Sequence, residues 1–372
     1  MNRLESLDWL RGLLALSIAL YHLTLWKLGP AEADTLLGRL GIYGVSMFFV
    51  LSGLAMAATY HDFMRGPASA ARFYVRRIFR IWPLLWLAVA TVTLGAWVVE
   101  GRRVEWSVVL LNLTTLFGFI SPGAYINTGA WSIGNEMVYY ALTPLLLAAY
   151  QRGKAAGNSL VALSLLPGLY FAWFALDPAR TLASQWLTYI NPFNNLGLYA
   201  IGLALYFNAR DLKLGTPAVL ALLAVGCAVL AWYPVGGDLV VTVTGWPRVA
   251  FVAASTAIVL GFFRLGAALP RWLAAPLALL GAATYGVYLL HPIVFQAIER
   301  SLRLAGAALD PRLSMLLTVV VTIAVSVVLY KHFELPLIRL GKRLTPDRRA
   351  APPAAAGVRP VARAETAGET KR

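Results

Sequence analysis

The sequence is short of the residues that soluble proteins present to water. Only 13% of its 372 residues are charged, about half of the ~25% usual in a soluble domain, while 59% are hydrophobic. That excludes a set of soluble domains. Cysteine is nearly missing: the single one, Cys227, lies inside an apolar run, which leaves no disulfide framework and no thiolate metal cluster. Acidic residues are scarce, 17 against 32 basic, for a net charge of +15. In a soluble protein that excess would suggest nucleic acid. Here the basic residues punctuate apolar runs, as orientation signals do, and no nucleic-acid partner is expected. The four histidines are scattered without a His-x₃-His or His-Glu pair, so no metal site is expected. No internal repeat of fixed period stands out.

Long apolar runs fill the chain instead. They fall at 9–28, 40–60, 79–99, 131–150, 158–176, 190–208, 217–234, 247–264, 276–297 and 313–332, each close to the roughly 20 residues of a spanning helix. The first follows Arg3 as a signal peptide would, but Asp8 and Arg11 interrupt it and no small-residue cleavage site follows, so it reads as a mature helix. A further apolar stretch near 106–121 is short and is followed by Gly, Ser and Pro. If it does not cross and the N-terminus is cytoplasmic, 19 basic residues fall inside and 9 outside; if it crosses, 12 fall inside and 16 outside. The excess of cytoplasmic Lys and Arg in membrane proteins selects the first arrangement. The expected fold is an all-α polytopic membrane protein with about ten transmembrane helices, both termini cytoplasmic, and one re-entrant or interfacial segment at 106–121. Residues 1–345 form the membrane-embedded domain. Residues 346–372, rich in Ala, Pro, Arg, Glu and Thr, read as a disordered cytoplasmic tail.

Ionisable side chains within apolar runs are costly and mark function by default. In the first run Arg11 and His22 are eleven residues apart, three turns plus roughly 20°, and so share one stripe about 16 Å long. Asp8 stands one turn before Arg11 and can pair with it. A lone His22 would as readily be a packing histidine; the stripe shared with Arg11 favours a common polar channel. Glu136, in Trp131-Ser-Ile-Gly-Asn-Glu136, falls at the depth of His22 in the favoured topology. A carboxylate there can orient an imidazole acting as a general base; the structural alternative is a bond to Tyr139 or a backbone amide. Arg76, Arg77 and Arg80 lie three and four residues apart on one helical face, near a helix start that also favours anions. Guanidinium forks suit phosphate, although juxtamembrane arginines commonly do no more than set topology and touch anionic lipid. Pro83 is expected to kink the helix. Small residues around Ser52-Gly53 permit close helix approach. His291 follows Tyr285 and Tyr288 on one side of its helix and precedes Pro292; it either binds an acyl donor or mends the break at the proline. Glu334 can pair with the arginine patch.

Taken in order, these segments resemble the acyltransferase-3 family of integral membrane O-acyltransferases, which modify bacterial surface and secreted glycans, Nod factors and some antibiotics. Arg11-x₁₀-His22 is similar to the first-span basic-x₁₀-His motif. Phe48-Phe-Val-Leu-Ser-Gly-Leu54 resembles Phe-Phe-x-x-Ser-Gly-Phe, with Leu54 in the last place. Arg77-Ile-Phe-Arg80 matches Arg-x-x-Arg. Trp131-Ser-Ile-Gly-Asn-Glu136 resembles Trp-Ser-Leu-x-x-Glu, with Asn135 where a small apolar residue is usual, and Tyr285-Gly-Val-Tyr-Leu-Leu-His291 is similar to Tyr-x-x-Tyr-Leu-x-His. The likeness runs from Leu7 to about Pro336.

The resemblance implies a donor of acyl-coenzyme A, commonly acetyl-CoA, on the cytoplasmic side, and an acceptor hydroxyl on a glycan or lipid-linked saccharide at the outer leaflet of a bacterial inner membrane. It implies His22 as catalytic base with Arg11 as a required partner, Glu136 as a catalytic or orienting carboxylate, and Arg77 and Arg80, with Arg76, as phosphate ligands. Tyr285 and His291 are assigned to the acyl-CoA site, and Asp8, Ser52, Trp131, Ser132 and Tyr139 to support. The stripe of about 16 Å from Arg11 to His22 is within reach of an extended pantetheine arm. Two chemistries fit: direct attack of a hydroxyl deprotonated by His22, which is favoured, or acylation of His22 first. Oxyanion donors are Ser132, Tyr139 or a backbone amide near Pro292. The rival from another class is a secondary transporter using His22, Glu136 and Arg11 as a proton relay, but paired halves of the kind transporters show are not seen.

Overall fold

A computed structural model describes residues 5–64, 66–266 and 269–346; the expected tail lies, from residue 347 on, outside the described residues. Each of the ten apolar runs is helical. In chain order the helices are α1 (Glu5–Lys27), α2 (Leu36–Tyr60), α3 (Pro67–Glu100), α4 (Trp106–Leu113), α5 (Phe117–Ile120), α6 (Ala130–Arg152), α7 (Lys154–Tyr170), α8 (Trp186–Tyr189), α9 (Pro192–Ala209), α10 (Thr216–Trp232), α11 (Gly245–Arg264), α12 (Arg271–Ala282), α13 (Thr284–Leu304), α14 (Pro311–Leu329) and α15 (Leu335–Leu344). Local signals set several starts. Asn191 and Asp310 accept from backbone amides of the first turn, each followed by a proline whose missing N–H costs a helix start nothing.

Among the described residues six helices are long and apolar enough to cross a membrane: α1, α2, α3, α7 with its π-helical extension to Ala175, α11, and α14 continued through Leu344. A seventh is added if α12 and α13, bent by 69° at their junction, count as one span. The other predicted runs form α6, α9 and the 17-residue α10. The segment near 106–121 is two short helices, α4 of 8 residues and α5 of 4, neither long enough to cross. They break at Thr115, a non-glycine residue with φ of 60°. Indoles of α3 hold the segment down: Trp82 donates to Thr115 Oγ1 at 3.3 Å and Trp86 to the Leu113 carbonyl at 2.7 Å. α3 itself runs on as one helix through Pro83.

The bundle keeps an apolar exterior, and buried polar side chains are set within its apolar core. Leu166, Phe174, Trp232 and Leu316 stand exposed, whereas Ser314, Thr318, Thr322 and Ser326, spaced four apart on α14, are buried. Helices without a hydrophobic drive to associate rely on close packing of small residues, and glycines mark the tightest crossings. α2 and α9 meet backbone to backbone: a Cβ on Gly53 would collide with the Tyr199 carbonyl, and one on Gly202 with the Val50 carbonyl. This fixes Ser52, the neighbour of Gly53, against the interior. Gly281 likewise lets α12 rest on the Asp8 backbone of α1. Gly53→Val or Gly202→Val should therefore destabilise the fold by about 3 kcal/mol or more, read as a lost monodisperse peak on gel filtration in detergent. Gly95→Val, at a helical position with no atom within 4 Å, should leave that peak unchanged.

Candidate active site

A cavity of about 1350 Å³ opens at the end of the bundle where α3 begins and is walled by α1, α2, α3, α6, the α12–α13 junction and α15. Its mouth carries Arg72, Arg76, Arg77 and Arg80, which one face of α3 supplies because the spacing repeats the helical turn. The guanidiniums of Arg72 and Arg76 lie over the Phe63 ring at 5.1 and 4.8 Å. Arg77 donates to the Tyr60 hydroxyl at 3.1 Å and faces the rings of Tyr60 and Tyr140. Arg80 pairs with buried Glu334 at 3.5 Å and lies 6.0 Å from the centre of the Tyr285 ring, as the sequence position of Glu334 suggested. Arg76 is differently engaged. Its Nε donates to Thr345 Oγ1 at 2.9 Å and its Nη2 to the Thr345 carbonyl, so this guanidinium fastens the end of α15 to α3. The Nε atoms of Arg72 and Arg77 are buried with no hydrogen-bond partner, donors that an anion in the mouth would satisfy.

Midway along the cavity is a carboxylate. Glu136 Oε1 accepts from Ser52 and, at 2.5 Å, from Tyr140, and the two hydroxyls are 3.2 Å apart. Tyr140 also faces Arg77, so the network joins the arginine mouth to the carboxylate. Asp8 and Arg11 line the wall as an ion pair at 3.1 Å, which their spacing predicts. Toward the far end, Ser132 and Tyr288 lie 2.8 Å apart, and both donate to the Gly129 carbonyl at 3.0 Å.

One turn beyond Tyr288 two imidazoles from distant parts of the chain meet. His22 Nδ1 and His291 Nε2 are 2.9 Å apart, and the His291 ring is 6.3 Å from that of Tyr288. Trp26 stacks on His22 with ring centres 5.4 Å apart and 12° between planes, and Phe295 backs Trp26 at 4.9 Å. Lys27 and Glu299 close this end with a bond of 2.9 Å.

The structure thus reorders several expected partnerships. Glu136 is bonded to Ser52 and Tyr140, not to His22; the imidazole beside His22 is His291. Equal depth in a bundle does not make two helices neighbours at that depth. His291, expected at the acyl donor, has both ring nitrogens engaged, Nδ1 with the Val287 carbonyl at 3.1 Å and Nε2 with His22. Tyr139 is buried and donates to the Pro192 carbonyl at 2.8 Å, away from the cavity, which removes it as an oxyanion donor. Tyr140, four residues from Glu136 and so on its face, takes the place given to Tyr139. Trp131 packs against Phe49, Trp186 and Tyr189 and supports α6 from behind. Asn135 donates to the Ile190 carbonyl at 3.0 Å, tying α6 to the start of α9. Tyr285 lines the cavity, with its hydroxyl on the Ile81 carbonyl at 2.9 Å. Sequence reasoning passed over Tyr60, whose place on the last turn of α2 carried no motif.

Comparison with known proteins identifies a family. Residues 4–331 match the acyltransferase domain of the acyltransferase-3 family. The chain is 29% identical over 310 residues to the Komagataeibacter xylinus protein named "Putative membrane-bound transacylase BcsY", covering 78% of this chain and 72% of that one. It is 27% identical over 146 residues to Nodulation protein 10 of Rhizobium leguminosarum bv. viciae, covering 33% of this chain and 38% of that protein. No solved structure matches. With the family's domain matched from residue 4 to residue 331, nearly the whole described bundle, the chain belongs to the acyltransferase-3 family of membrane acyltransferases.

Proposed function

We propose that the protein transfers an acyl group, acetyl by preference, from cytoplasmic acyl-CoA to a hydroxyl of an extracytoplasmic or lipid-linked glycan, with His22 as general base. The observation that carries the reading is the cavity running from four arginines toward the His22–His291 pair. In this reading the ten long helical runs span a bacterial inner membrane, both termini are cytoplasmic, and the arginine mouth faces the cytoplasm. The surplus of Lys and Arg at that end supports this orientation.

Coenzyme A carries its negative charge on a diphosphate and a ribose phosphate, and guanidiniums bind such groups through paired bonds. Arg72, Arg77 and Arg80 are suited to hold them, and Arg76 keeps the wall in place through Thr345. The pantetheine arm would then extend past Glu136 and Tyr140, where a carboxylate can accept from its amides. The thioester would lie at the far end. His22 removes the proton of the acceptor hydroxyl as its oxygen attacks the thioester carbon. The carbon–sulfur bond then breaks, and the imidazolium returns the proton to the departing sulfur. No acyl-histidine is needed, and the acyl group is never exposed to bulk water.

In membranes given radiolabelled acetyl-CoA and envelope glycan, the wild type should place alkali-labile label on glycan. His22→Ala should lower that transfer by about 100-fold or more; unaltered transfer would remove His22 from the chemistry. Arg77→Ala should raise KM for acetyl-CoA roughly tenfold, the loss of one charge-assisted bond, with insertion unchanged. A KM that does not move would remove Arg77 from the phosphate site.

A further inference from the structure

We infer that His291 is the positioning residue for His22: it fixes the tautomer in which His22 carries its proton on Nδ1 and keeps Nε2 as the atom that accepts the hydroxyl proton. The inference rests on the proposed role of His22 and deepens it by assigning the reacting nitrogen.

The assignment follows from a chain of donors and acceptors. A carbonyl oxygen only accepts, so His291 Nδ1, 3.1 Å from the Val287 carbonyl, carries a hydrogen. A neutral imidazole has one N–H, so His291 Nε2 presents a lone pair. His22 Nδ1 lies 2.9 Å from that lone pair and must be the donor. His22 Nε2 is then left as a lone pair, the form a general base requires. The line runs from a helix carbonyl through one imidazole into the next, and its direction is set by the one member that cannot donate.

Both rings are treated as neutral because of what surrounds them. Among the described residues the pair meets Tyr21, Trp26, Tyr288 and the Val287 carbonyl. No carboxylate is bonded to either ring, since Glu136 is engaged with Ser52 and Tyr140 and Glu299 with Lys27 and Ser314. His291 is buried to 1% exposure, where an unpaired charge is costly. Trp26 stacks on His22 and lies 6.0 Å from His291, with 12° and 20° between planes, and so holds both imidazoles in nearly parallel planes.

The arrangement also shapes the chemistry. When His22 Nε2 takes the hydroxyl proton, the Nδ1–H bond to His291 becomes charge-assisted and strengthens. A neutral acceptor stabilises the imidazolium less than a carboxylate would. The proton is accordingly passed on readily to the leaving sulfur, which suits a base that must return what it takes.

Two measurements test this. In protein labelled with ¹⁵N-histidine, only four residues contribute, His22, His61, His291 and His332, and single His→Asn variants assign them. The His22 signals should show a protonated Nδ1 and an unprotonated Nε2; a protonated Nε2 in the wild type would overturn the inference whatever the activity. In the transfer assay, His291→Ala should lower kcat by about 100-fold with KM for acetyl-CoA unchanged, and should mix the His22 tautomers. His291→Gln, whose amide can accept from His22 and donate to Val287, should recover most of that loss. If His291→Ala raises KM and spares kcat, His291 binds the donor and the inference fails. If His22→Ala is inactive while His291→Ala keeps full kcat, the positioning role fails and the role of His22 stands. Should His291→Ala not fold, the wild-type spectrum and the Gln variant still decide.

Discussion

The cost of ionisable groups inside an apolar bundle governs this structure. A guanidinium, carboxylate or imidazole among helices with an apolar exterior must be paired or must face a polar space. The protein meets that demand by turning such groups from α1, α2, α3, α6 and α13 toward one cavity and its far end. Asp8 answers Arg11, Glu334 answers Arg80, hydroxyls of Ser52 and Tyr140 answer Glu136, and His291 answers His22. The glycine crossings serve the same end, because bringing α2 onto α9 and α12 onto α1 places the walls close enough for these bonds to form.

That cavity is graded along its length. Strong, permanently charged donors stand at the mouth, a bonded carboxylate in the middle, and neutral imidazoles beyond the far end. On the proposed reading the gradient matches the donor: charge where phosphates sit, hydrogen-bonding groups along the amide-bearing arm, and a proton acceptor at the thioester. The arginines that look alike in sequence divide the work. Arg72 and Arg77 keep an unpartnered Nε, Arg80 is balanced by Glu334, and Arg76 fastens the C-terminal helix.

Much of this was legible in the sequence because it depends on local rules. Helical periodicity put Arg11 on the stripe of His22 and one turn from Asp8, and the apolar runs foretold where long helices lie. The shortness of 106–121 and its flanking Gly, Ser and Pro marked a segment unable to cross, and α4 and α5 are such a segment. What failed was inference across the chain. His22 and His291 are 269 positions apart, and nothing in hydropathy says which helices adjoin at a given depth, so depth alone suggested Glu136. Helical spacing brings both Tyr139 and Tyr140 near Glu136, and only the packing of Tyr139 against Pro192 leaves the bond to Tyr140. Arg39 and Arg248 were not singled out, and both are buried structural members. Arg39 donates to the Ala33, Leu230 and Tyr233 carbonyls, and Arg248 to Asn194.

An electron cryomicroscopy structure of the protein in a lipid nanodisc with a non-hydrolysable acyl-CoA analogue tests the central claim most directly. The account predicts phosphates bonded to Arg72, Arg77 and Arg80 and the acyl carbon beside the Nε2 face of His22. Phosphates bound away from the α3 arginines, or an acyl carbon remote from His22, would contradict it.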